Sequence, residues 1–141
     1  MRTPLIFLTL LLASCAQPGA AGPADAPATS APSGPLNRAQ AWSYCQDANR
    51  GLAAATACTA LIEAGQETRQ GLISAHYNRA MALGRRGRTQ AAIADYDTIL
   101  QQDPAFALAL YQRGLLLQSM GQQIRADQDL MRAHQLDPRL H

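Results

Sequence analysis

The sequence predicts an all-α chain built of helix hairpins stacked in series. Three observations carry this. Alanine and leucine dominate the apolar residues and β-branched runs are few, which favours helix over sheet. Asp-Pro stands at 103–104 and again at 137–138, 34 residues on, with no proline between 36 and 103. Residues 73–106 also align on 107–140 without a gap, and a fixed period of that length signals a repeat array. The alignment sets Ala80 on Gly114, Leu83 on Leu117, Gly87 on Gly121, Ala92 on Ala126, Tyr96 on Leu130 and Ile99 on Ala133. A net charge of +2 makes no electrostatic case for nucleic acid or for a strongly anionic partner.

The chain opens on an address. Residues 5–13 form an apolar run of nine behind Arg2, too short for a span of about 20 residues but suited to a secretory leader. The run ends in Leu12-Ala13-Ser14-Cys15, which resembles the lipobox of bacterial lipoproteins. That resemblance implies a signal peptide over 1–14 and a diacylglycerol thioether with an N-acyl chain on Cys15, enough chains for a stable anchor. It places the domain in the periplasm. Ala16 rather than Asp after the cysteine points to the outer membrane rather than the inner. Secretion with cleavage after Ala16, and a buried N-terminal helix with an incidental cysteine, are the competing readings. Five prolines and three glycines follow within residues 16–35. Such a stretch cannot offset its ordering entropy by burial, so 15–35 reads as a disordered tether. Extended, its twenty residues reach roughly 60 Å.

Residues 36–72 read as a degenerate hairpin, with helices over 38–48 and 52–64, a turn at Asn49-Arg50-Gly51 and a joint over 66–71. Cys45 and Cys58 are an even pair in an exported chain. An antiparallel hairpin turning at 49–51 brings them face to face, so a disulfide is expected; two buried, inert thiols are the alternative. The bridge closes 14 residues, worth about 3 kcal/mol by chain entropy.

Residues 73–106 and 107–140 read as two closer copies. Ala92, Ile93, Tyr96, Ile99 and Leu100 form one helical stripe. Gly87 supplies the dihedrals of a tight turn, and Pro104 ends one helix and suits the start of the next. Small residues at 80, 92, 114 and 126 let helix axes approach. Each hairpin leaves an apolar face that it cannot bury alone, so hairpins stack. The pattern resembles the tetratricopeptide repeat, W-x2-L-G-x2-Y, then A-x3-F, then P. His76 and Leu110 stand at the Trp site, and Arg79 and Arg113 replace the usual Leu. In the first hairpin, Trp42 falls at the small-residue site if Ala54-x3-Cys58 is the A-x3-F element. The resemblance implies a short right-handed α-solenoid of about three hairpins.

No catalytic constellation emerges, so the chain reads as a non-enzyme with no cofactor and no metal site. Asp95 and Asp97 lie two apart on a helix and so on different faces. His76, His134 and His141 are scattered. A further stripe of Leu108, Tyr111 and Leu115 repeats Tyr77 and Met81 one period earlier. In tetratricopeptide proteins these positions line the concave face. A groove of Tyr77, Met81, Leu108, Tyr111 and Leu115 is therefore the expected site for a protein or peptide client, with a second copy of the chain as the other occupant. Arg85-Arg86-Gly87-Arg88 concentrates three charges at one turn; anionic headgroups, an acidic partner and plain solvation all fit it. No aromatics interleave with it, so nucleic-acid binding is not supported. The function expected is a periplasmic adaptor or scaffold held by a lipid anchor. The alternative is a self-associating envelope lipoprotein with no separate client.

Overall fold

The computed structural model describes residues 34–141. The expected leader, Cys15 and nearly all of the tether lie outside the described residues. Among those described, regular structure is entirely helical. It comprises α1 (Arg38–Cys45), α2 (Leu52–Ala64), α3 (Arg69–Arg85), α4 (Thr89–Gln102), α5 (Ala107–Ser119) and α6 (Gln123–Leu136), with one 3₁₀ turn, Ala48–Arg50. Each helix packs chiefly on its neighbours in sequence. The result is three hairpins in series, α1–α2, α3–α4 and α5–α6.

The two regular hairpins follow the sequence reading closely. Gly87 and Gly121 take φ of 71° and 73° at their turns, a region that L side chains rarely adopt. Ala80, Ala92 and Ala126 are fully buried. Gly114 is buried too, and a Cβ added there would lie 2.8 Å from Leu130 Cγ and 3.3 Å from the Ala126 carbonyl. The stripe closes one core with Ile73, Ala80, Ala92, Tyr96, Ile99 and Ala109. Ile93, Leu117 and Ala126 close a second.

Helices α1 and α3 each depart from expectation at one end. Helix α1 stops at Cys45, not at Ala48. The Asp47 carboxylate accepts the Asn49 N–H (3.1 Å) and its carbonyl accepts the Arg50 N–H (3.0 Å). This local side-chain bond offers the backbone an alternative to the helix. Helix α3 starts at Arg69, inside the expected joint, because Thr68 Oγ1 accepts the Gly71 N–H (3.1 Å) and caps it. The joint that remains is pinned by Glu67. Its carboxylate accepts Arg38 Nε and Nη2 (2.7 and 2.8 Å) and Trp42 Nε1 (3.1 Å). Trp42 thus finds a polar partner at a site that elsewhere in the array is small.

Cys45 and Cys58 stand at disulfide distance, Cα atoms 4.7 Å apart, and both are fully buried. Ala41, Ala57, Leu61 and Ala75 surround them. The bridge therefore holds the shortest helix onto the stack where little other apolar area is available.

Two outcomes are expected. Protein from an oxidising compartment should resist alkylation at Cys45 and Cys58 and weigh less by the two thiol hydrogens; replacing both with serine should cost about 3 kcal/mol in urea unfolding. Free thiols at both positions would contradict the bridge. Gly114→Ala should push α6 off α5 and cost about 1–3 kcal/mol by the same measurement.

Candidate interaction surface

The two arginines that replace the usual leucine are each met by an aspartate. In the second hairpin, Arg79 Nε and Nη2 donate to Asp95 Oδ2 and Oδ1 (2.9 and 2.6 Å). In the third, Arg113 Nε and Nη2 donate to Asp129 (2.7 and 2.8 Å). Both pairs span 16 residues and recur at the repeat period. Asp95 and Asp129 are the only buried charged residues among those described. Each guanidinium also reaches back one hairpin. Arg79 Nη1 donates to Thr59 Oγ1 (3.0 Å) and Arg113 Nη1 to Asp97 Oδ1 (2.5 Å). When Ala54 is set on Ala92, Thr59 and Asp97 occupy the same place. The arginines therefore clamp each hairpin internally and tie it to the one before. Asp95 and Asp97, on different faces as expected, serve two different arginines.

His76 adds to the first clamp, its Nδ1–H donating to Asp95 Oδ1 (2.8 Å). Burial alone would raise the Asp95 carboxyl. Hydrogen bonds from His76 and Arg79, with the Arg79 charge, outweigh that and hold it below the usual carboxylate range. The clamp was not expected from the sequence, although the recurrence of Asp95 at Asp129 was a signal for it. It forms the floor of an open hollow of about 560 Å³ between α2 and α4, walled by Leu52, Thr56, Leu83 and Ala94.

The five expected groove residues are not equivalent. Leu108 and Leu115 are the exposed ones, 43% and 38% accessible. Tyr111, between them on α5, is half-buried and donates its hydroxyl to the His141 carbonyl (3.2 Å). Met81 shares a hollow of about 200 Å³ with Gly84, Gln112 and Leu116. Tyr77 belongs to the seam between hairpins. Its ring lies edge-on to Tyr96 (5.9 Å) and tilted against Phe106 (5.8 Å), because the α4–α5 joint folds Phe106 beneath it. Tyr77 and Tyr111 are thus engaged within the fold and Met81 lines a hollow, while the two leucines face outward.

Two tests follow from the clamp. Arg113→Met leaves Asp129 buried without its partner and should cost about 3 kcal/mol, whereas Arg113→Met with Asp129→Leu should recover most of that loss. Asp95 titrates lower folded than unfolded. Its contribution is whole above an ordinary aspartate pKa of about 4 and is lost as pH falls through the folded value. Melting between neutral pH and pH about 3 should therefore show an acid-dependent loss that Asp95→Asn reduces.

No curated protein and no solved structure matches this chain. A family model described as tetratricopeptide repeat matches residues 73–106 and 107–140. Its two matched segments coincide with the α3–α4 and α5–α6 hairpins, small-residue contacts and glycine turns included. Residues 73–140 are thus two tetratricopeptide repeats in tandem.

Proposed function

We propose that this protein is a membrane-anchored adaptor of the bacterial envelope. In this reading the leader is removed, Cys15 carries the acyl chains, and the helical domain works in the periplasm on the outer membrane. The α3–α5 face takes a protein or peptide client. Tetratricopeptide repeats suggest a protein-interaction scaffold. The observation that carries the choice of face is the pair Leu108 and Leu115. They are seven residues apart on one helix, and both stay exposed although α5 already buries Ala109, Leu110 and Leu117 elsewhere. Exposed leucines on one helix face suit an apolar partner.

The test uses crosslinkers at positions 108 and 115 in cells. Each should trap the same heavier product, and a crosslinker at exposed Arg132 should not. Leu108→Asp and Leu115→Asp should weaken that association by more than about 1 kcal/mol without loss of helicity. A product with the mass of two copies of this chain would replace the client with self-association. Cys15→Ala should leave an unprocessed precursor or a soluble product and abolish fatty-acid labelling; unchanged membrane association after an alkaline wash would refute the anchor.

A further inference from the structure

The small net charge conceals a local cluster of arginines. The turns within the three hairpins, at 46–51, 86–88 and 120–122, lie at one end of the stack. Arg85 Nη1 donates to Asn49 Oδ1. The Arg86 guanidinium covers Gly51 so closely that a Cβ there would meet it. A Cβ on Gly84, just before the second turn, would lie 3.7 Å from Leu116, just before the third. Arg85, Arg86 and Arg88 are all exposed at this end. None of the three meets a carboxylate among the described residues. Asp47, the acid of the first turn, is held by Arg50 (3.1 Å). At the far end, where the chain enters α1, Glu67 and Asp137 have arginine partners of their own, Arg38 and Arg139 (2.7 and 2.8 Å).

The basic edge also carries exposed aliphatics. Leu52 opens α2 at 48% accessible, Met120 sits in the third turn at 42%, and Ile124 begins α6 at 78%. An acidic peptide would satisfy the guanidiniums but gives no reason for the aliphatics. A bilayer surface satisfies both, because lipid phosphates accept guanidinium donors and the acyl boundary takes apolar side chains a few ångströms deep. We propose that this edge docks on an anionic bilayer surface, with the hairpins standing upright on it. The docking does not depend on the lipid anchor proposed above.

The experiment uses the full chain with Cys15→Ala, so that no acyl group contributes, sedimented with vesicles of phosphatidylglycerol or of phosphatidylcholine. Any contribution of the N-terminal residues is then common to every arm. The parent should prefer phosphatidylglycerol and lose that preference as salt rises. Each arginine near an anionic surface is worth a factor of roughly five, so Arg85→Gln with Arg86→Gln and Arg88→Gln should lower phosphatidylglycerol association about a hundredfold. Phosphatidylcholine association should stay unchanged. Ile124→Asp should lower the phosphatidylglycerol association as well. A triple variant that binds phosphatidylglycerol like its parent overturns the proposal. So does unaltered binding of Ile124→Asp, which would make the edge a polyanion or acidic-protein surface. If the triple variant melts early, Ile124→Asp alone decides, since that side chain stands in solvent.

Discussion

The stack depends on helices coming close at a few small residues. Ala80, Ala92 and Ala126 are fully buried, and Gly114 has no room for a methyl group. Larger residues there would hold the axes apart. The leucines, isoleucines and tyrosines of adjacent helices would then lose contact across the gap, and a buried polar pair would lose the distance that makes it worthwhile. The close approach is thus the condition for the aliphatic cores and for the arginine clamps alike.

The clamps give the array its register. A half-buried guanidinium at the place of a leucine is costly unless its inward donors are met. Asp95 or Asp129 meets the fork, and Thr59 or Asp97 of the hairpin before accepts from Nη1. The corresponding place in α6 is Met131, which accepts nothing and lies exposed. Ile93 and Leu100, packed at the seam, have Asp127 and His134 as their counterparts one period on. The outer face of the third hairpin is therefore chemically unlike the inner seams, and water can solvate it.

The first hairpin reaches the same architecture by other means. It has neither the arginine clamp nor a small residue at Trp42. It uses the Cys45–Cys58 bridge and a Glu67 carboxylate that gathers Arg38 and Trp42. Covalent and polar ties stand in where an eight-residue helix has little area to bury. The exposed leucines of α5 then remain outside this framework, so changes there need not disturb the fold.

By itself the sequence determined the helical class, the 34-residue register, the three hairpins, the glycine turns and the cysteine pair. These follow from local propensity, from positive-φ positions that favour glycine, and from a period that repeats along the chain. The candidate face was legible only in part. Leu108 and Leu115 stand exposed, but Tyr77 is drawn into the seam by Phe106 and Tyr111 is tied to the chain terminus. The tertiary structure alone decided those outcomes, the pairing of Arg79 and Arg113, and the gathering of separate turns into one basic edge. Each depends on groups 16 to 36 residues apart meeting at a distance set by packing. Neither composition nor periodicity encodes that distance.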